Sequence, residues 1–118
     1  MTNEIQRIDS NERLCGIVIH NGVVHVAGVT AGNLDGDIQA QTRDVLAKID
    51  GYLAQAGTDK SRLLTVQIWL KDIDRDFAGM NAVWGEWADR ANMPTRATCE
   101  AKLARPELLV EIIVSAAL

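Results

Sequence analysis

Two charged side chains, Arg96 and Glu111, stand among apolar residues in the carboxy-terminal third of the chain. Arg96 follows Pro94 at the start of a predicted strand, and Glu111 is flanked by Val110 and Ile112. An arginine at the mouth of a strand can bind a substrate carboxylate through two parallel N–H donors. A glutamate that is partly removed from water has a raised pKa and is suited to proton transfer. The two residues therefore indicate binding of a small carboxylate combined with acid–base chemistry.

The same two residues also have structural interpretations. Arg96 and Glu111 could form an ion pair that only stabilises the fold, or each could point to water. The sequence does not determine the register between their two strands, so whether the residues share one face of a sheet stays open.

Alternation of apolar and polar residues predicts the strands that carry these side chains. We expect strands at residues 96–104 and 108–116, joined by a tight connection at 105–107, and a further strand at 62–70. Near the amino terminus, Asn21-Gly22 separates two β-branched segments. This dipeptide favours a hairpin because both residues tolerate positive φ, and it predicts that His20 pairs with Val23.

Two helices are predicted from apolar residues that recur every three to four positions. The first covers residues 37–56 and ends at Gly57, and the second covers residues 74–90 and is broken by Pro94. The apolar stripe of the second helix consists of Phe77, Met80, Trp84, Trp87 and Ala91.

The predicted element order is β-β-α-β-α-β-β, which is an α+β fold with two helices on one face of a mixed sheet. We expect residues 1–118 to form one domain of this kind. The other face of the sheet would carry Val18, Val23, Leu63 or Trp69, and Leu109 or Ile113. That face is too apolar to remain in water, so the sequence predicts an oligomer with sites near the subunit interfaces.

Composition restricts the classes of function. The chain has 118 residues with 12 Lys+Arg against 16 Asp+Glu, and a net charge of −4 makes nucleic-acid binding an unexpected role. Its apolar stretches are too short to cross a bilayer, and its polar first residues lack the core of a signal peptide, so we expect a cytoplasmic protein. The separated Cys15 and Cys99 predict free thiols and no metal site.

Several motifs resemble the RidA/YjgF family, the reactive-intermediate (enamine/imine) deaminases. The resemblance is strongest in the segment PTRATCEAKLARPELLVEIIVSAA at residues 94–117 and in the F-x-x-x-N spacing of Phe77 and Asn81. It extends to the hairpin at residues 19–22. The Asn-Leu-Asp stretch at residues 33–35 is most similar to the YoaB-like branch.

The resemblance implies a chorismate-mutase-like fold assembled as a homotrimer, with active sites in clefts between subunits. It implies that Arg96 binds the carboxylate of a 2-imino acid and that Glu111 positions the water that attacks the imine carbon. Ammonia would leave and a 2-oxo acid would remain. Gly28, Phe77 and Asn81 match residues that line the family's pocket, and no metal or organic cofactor is implied.

Two positions depart from the characterised deaminases. The second residue after the arginine is often cysteine in those enzymes, but it is Thr98 here, which could still offer a hydroxyl to the substrate. Cys99 follows one place later and is expected to leave the pocket and pack inward. Leu14 stands where those enzymes have a tyrosine. A non-catalytic trimer that binds small carboxylates is therefore the alternative, and ribonuclease activity is a weaker one.

Overall fold

The computed structural model describes residues 4–118, where two helices cover a sheet of seven strands. Met1 to Asn3, the first residues of the polar amino-terminal segment, lie outside the described part. The strands are β1 (Gln6–Ser10), β2 (Cys15–His20), β3 (Val23–Val26), β4 (Val29–Thr30), β5 (Leu63–Leu70), β6 (Thr95–Glu100) and β7 (Val110–Ala117). The helices are α1 (Ile38–Ala56) and α2 (Ile73–Trp87), and a short 3-10 turn at Lys60–Arg62 leads into β5.

The strands form one mixed sheet in the order β1-β2-β3-β7-β5-β6, and β4 also pairs with β7. β5 and β6 run parallel, whereas the other neighbours are antiparallel. The buried residues of both helices and of alternate strand positions belong to a single hydrophobic cluster. Both helices therefore lie on the same face of the sheet, and the predicted α+β architecture is confirmed.

The two faces of the sheet differ in burial. On the face under the helices, the strands contribute fully buried side chains such as Ile17, Val24, Ile68 and Ile112. The opposite, helix-free face carries the partly exposed apolar side chains Val18, Val23, Trp69 and Ile113. Of the two alternatives at β5, Trp69 lies on the helix-free face, whereas Leu63 is buried in the core.

The amino-terminal hairpin forms in the predicted register. His20 pairs with Val23, and Ile17 pairs with Val26 across the turn. Asn21 and Gly22 adopt φ values of 51° and 77°, the left-handed conformation that this tight turn requires.

The bounds of α1 are set by a side chain at its start and a glycine at its end, whereas α2 ends earlier than predicted. Asp37 caps α1 by accepting a hydrogen bond from the N–H of Ala40 at 2.9 Å, and Gly57 ends the helix with a φ of 89°. The second helix was predicted to reach residue 90, but α2 ends at Trp87. The carboxylate of Asp89 accepts from the N–H of Ala91 at 3.0 Å and so forms a turn that competes with the helix.

The predicted element order lacks two strands, and one expected connection differs from the structure. It omits β1 and β4, because β1 is an edge strand with little apolar alternation and β4 has only two residues. The last two strands are also not neighbours. β6 ends at Glu100 rather than at residue 104, and β5 lies between β6 and β7.

Gln41 of α1 holds the long connection between β6 and β7. Its side chain is 1% exposed, and its amide nitrogen donates to the carbonyl of Glu107 at 2.9 Å. Its amide oxygen accepts from the N–H of Leu109 at 2.9 Å. A buried side chain from the first helix therefore fixes the backbone just before β7.

We expect Gln41→Met to lower the free energy of unfolding by about 1–3 kcal/mol, because it keeps the side-chain volume and leaves the Leu109 N–H without a partner. Urea denaturation monitored by circular dichroism measures the change. Gln55→Met is the matched control, since Gln55 is exposed and bonds only to Asp9 at 3.2 Å. Equal effects of the two substitutions would contradict this interpretation of Gln41.

Candidate active site

Arg96 lies on β6 and faces the helices. It is in register with Val66 of β5, whose side chain is buried in the core, and registered residues share a face. The guanidinium carbon lies 5.7 Å from the centre of the Trp84 ring of α2. Burial lowers the pKa of Arg96 from its usual value. Across residues 4–118, the Arg96 side chain has neither a carboxylate partner nor a hydrogen bond.

α2 brings the other predicted pocket residues to the same region. The carboxylate of Glu100, at the end of β6, accepts from the N–H of Ile73 at 3.1 Å, so β6 is attached to the start of α2. Phe77 and Asn81 precede Trp84 on one stripe of the helix, at spacings of four and three residues. Phe77 is 42% exposed and so does not belong to the core stripe predicted for it.

Thr98 lies on the same face of β6 as Arg96, two residues further along the strand. Its hydroxyl oxygen is buried and has no hydrogen-bond partner among the described residues. A buried hydroxyl without a partner is costly unless a ligand or water satisfies it. We call Arg96, Thr98, Phe77 and Asn81 the arginine cluster.

Glu111 faces the other way. It is in register with Trp69 of β5 and with Thr30 of β4, and Trp69 lies on the helix-free face. Burial raises the pKa of Glu111, with no opposite charge to offset it. Its carboxylate lies against Gly28, and its Cδ atom would be only 3.1 Å from a Cβ atom at that position. Gly28 therefore provides the space that the carboxylate occupies.

Leu14 and Gly28 line one cleft of about 230 Å³, and Gly28 is also placed against the Glu111 carboxylate. Leu14 is 55% exposed, and its N–H donates to the Asn11 side chain at 3.0 Å in the turn between β1 and β2. Tyr52 of α1 also lines this cleft and was not predicted as a site residue. The only signal for it was the presence of a single tyrosine on the apolar side of a helix. Glu111 and Gly28 form what we call the glutamate cluster.

Arg96 and Glu111 lie on opposite faces of the sheet. Their registered partners on β5, Val66 and Trp69, are three residues apart, and an odd separation along a strand reverses the face. The ion pairs among the described residues, Arg75–Asp76 and Arg105–Glu107, involve neither group. An ion pair between Arg96 and Glu111 within one chain is therefore excluded, and each is desolvated separately.

The two cysteines lie outside both clusters. Cys99 points away from the arginine cluster, but it is exposed on the helix-free face rather than packed inward. Cys15 donates from its thiol to the carbonyl of Ile17 at 3.1 Å. In residues 4–118, no group of three or more His, Cys, Asp or Glu side chains could hold a metal ion. Over the same range, neither helix has the length and apolar character needed to span a membrane.

Comparison with known proteins confirms the resemblance seen in the sequence. Residues 4–118 match the family model described as endoribonuclease L-PSP. A RutC family protein of Haemophilus influenzae is 44% identical over 113 residues, which cover 95% of this chain and 97% of the relative. The RutC family protein YoaB of Escherichia coli is 42% identical over 113 residues, covering 96% and 97%. A YjgF family structure from Neisseria meningitidis superposes with a TM-score of 0.92 at 40% identity, covering 98% of this chain and 95% of that one.

We expect Gly28→Ala to lower the free energy of unfolding by about 1–3 kcal/mol, because the added methyl group collides with the Glu111 carboxylate. Thermal and urea unfolding measure the loss. The same substitution in a Glu111→Ala background should cost much less, since the colliding group is gone.

Gly51→Ala serves as the control, because a Cβ atom there meets nothing within 4 Å in the interior of α1. It should stabilise the protein by up to about 1 kcal/mol. A loss at position 28 that is unchanged when Glu111 is absent would show that the carboxylate does not require this glycine.

Proposed function

The chain belongs to the RidA/YjgF family, and on that premise we propose that it is an imine deaminase that hydrolyses 2-imino acids to 2-oxo acids and ammonia. The observation that carries the proposal is the pair of desolvated, unpartnered charges, Arg96 and Glu111. Because neither side chain has an ion partner among the described residues, each is free to bind a group of the substrate or a water molecule.

Arg96 binds the substrate carboxylate in this proposal. Its guanidinium has free N–H donors in a planar fork, which matches the two oxygens of a carboxylate. The unpartnered hydroxyl of Thr98 supports the assignment, because a bound polar ligand would satisfy it. The proposal assigns Phe77 and Asn81 of α2 to the wall of the same site, because they lie on the helix stripe that carries Trp84.

Glu111 transfers the protons. Its carboxylate accepts a proton from a water molecule as the water oxygen bonds to the imine carbon. It then returns that proton to the nitrogen, which gives a tetrahedral carbinolamine. In a second transfer the carboxylate takes the proton of the new hydroxyl group and passes it to the nitrogen, the carbon–nitrogen bond breaks as the carbonyl forms, and ammonia leaves the 2-oxo acid. A carboxyl group with a raised pKa suits this cycle, because it must both accept and donate near neutral pH.

The complete site lies between two copies of the chain, since Arg96 and Glu111 occupy opposite faces of one sheet. We propose a homotrimer in which the arginine cluster of one copy meets the glutamate cluster of the next. The partly exposed apolar side chains Val18, Val23, Trp69 and Ile113 on the helix-free face support self-association.

A trimer that binds small carboxylates without catalysis is the second candidate. Leu14 favours it, because it places an aliphatic side chain in the cleft that Gly28 also lines, and an aliphatic side chain donates no hydrogen bond to a substrate. Ribonuclease activity has support from the description of the matching family model, and no geometric feature of the described residues adds to it. A net charge of −4 argues against a backbone-binding surface for RNA.

The first test is hydrolysis of 2-imino acids that an amino-acid oxidase generates in the assay, with semicarbazide as the competing trap. The wild-type protein should suppress trapping. Arg96→Ala should lower kcat/KM by about 100-fold or more, because the carboxylate loses its charged partner. Glu111→Gln should lower kcat by about 10²- to 10⁴-fold, since it cannot relay a proton.

Arg90→Ala is the matched control and should behave as the wild type, because Arg90 is exposed outside both clusters. If the wild type binds 2-oxo acids but releases no ammonia from any 2-imino acid, the non-catalytic candidate replaces the deaminase. RNA cleavage that persists in Arg96→Ala, in a nuclease-free preparation, would favour the ribonuclease.

A mixing experiment tests the shared site. Arg96→Ala and Glu111→Gln should each be inactive, but a mixture that is unfolded and refolded together should recover activity. About one site in four would then combine an intact arginine with an intact glutamate from different copies. Recovery should require the trimer, which sedimentation measures directly. No recovery in a mixture that does form mixed trimers would place both groups in the same chain's site.

A further inference from the structure

A continuous stack of aromatic rings and cations runs from the surface of α2 to Arg96. The Lys60 ammonium lies 5.1 Å from the Trp87 ring, and Trp87 lies 5.6 Å from Trp84 at an interplanar angle of 46°. Trp84 in turn lies 5.7 Å from the Arg96 guanidinium. Trp84 is 6% exposed, so its ring has a fixed place in the core.

The Trp84 ring attracts Arg96 without occupying its N–H donors. The negative charge density above an aromatic ring favours a cation through electrostatics, and tryptophan is the most effective ring for this contact. A carboxylate neighbour would instead engage the fork of donors. Arg75 shows that alternative in the same chain, because its Nε and Nη2 atoms donate to Asp76 at 3.0 and 2.9 Å.

We infer that Trp84 is a positioning residue for carboxylate binding, which holds the Arg96 guanidinium in place while its donors stay free. The inference rests on the proposed function of Arg96. It also explains how a partly buried arginine is kept in one position without an ion partner. Thr98 lies two residues further along β6 on the same face, and its hydroxyl has no hydrogen-bond partner among the described residues, so it is available to the same ligand.

The choice of variants separates this role from packing. Trp84→Leu keeps an apolar side chain but removes the ring, and Trp84→Phe keeps a smaller ring that binds a cation less strongly. Trp87→Phe is the matched control, because Trp87 is in the same stack but contacts Lys60 rather than Arg96. Trp84→Phe also keeps the test available if Trp84→Leu does not fold.

Two readouts are measured on each folded variant. Titration calorimetry with 2-oxobutanoate gives the dissociation constant for a carboxylate. Nuclear magnetic resonance of ¹⁵N-labelled protein without ligand gives the chemical shift of the Arg96 Nε–H group, which a ring directly beneath it displaces.

We expect Trp84→Leu to raise the dissociation constant by about three- to tenfold and to move the Arg96 signal toward the value of a free arginine. Trp84→Phe should lie in between, and Trp87→Phe should match the wild type in both measurements. In the deaminase assay, Trp84→Leu should raise KM more than it lowers kcat.

Unchanged binding and an unmoved Arg96 signal in Trp84→Leu would overturn the inference, and so would equal weakening by Trp87→Phe. If the wild type neither binds a 2-oxo acid nor hydrolyses a 2-imino acid, the proposed function fails. The Arg96 signal in Trp84→Leu and Trp87→Phe then decides by itself whether Trp84 holds the arginine.

Discussion

The backbone pairing of β7 with three other strands is the constraint on which the rest of the structure depends. β7 bonds to β3 and β4 along one edge and to β5 along the other. Its alternation places Val110, Ile112, Val114 and Ala116 in the core, which leaves Glu111 on the helix-free face. β5 transmits the same register to β6, so the position of Arg96 follows from that of Glu111 two strands away. If β7 shifted by one residue relative to its neighbours, its core side chains would move to the helix-free face and Glu111 would move into the core.

Local signals in the sequence were sufficient for both helices and for five of the seven strands, but not for the arrangement of the strands. The Asn21-Gly22 turn and the helix caps depend on neighbouring residues, and the hairpin register was therefore predicted correctly. The insertion of β5 between β6 and β7 depends on contacts between distant segments, which no local pattern contains. β1 gave no signal because an exposed edge strand needs no apolar alternation. The sequence alone identified Arg96 and Glu111 as candidate site residues. That they lie on opposite faces of the sheet follows only from the registers of β5 with β6 and with β7.

Two different devices keep the charged groups of the site in place without an ion partner. Arg96 rests against an aromatic ring, and Glu111 occupies the space left by a glycine. Leaving partly buried charges unpaired costs stability, and the opposite pKa directions of the two groups reflect that cost. Proteins keep such costly arrangements mainly where a ligand must bind or react. The unpartnered hydroxyl of Thr98 belongs to the same pattern.

The central position of β7 also has a consequence for how the protein is made. Every other strand precedes β7 in the chain, yet the sheet has no continuous middle until residues 110–117 are present. The β1–β2–β3 hairpins and the β5–α2–β6 unit can form early during synthesis, but no strand pairing joins them before β7. Their apolar faces stay exposed until the last strand leaves the ribosome, a stage at which chaperones bind such chains. Completion of the sheet therefore waits for residues 110–117.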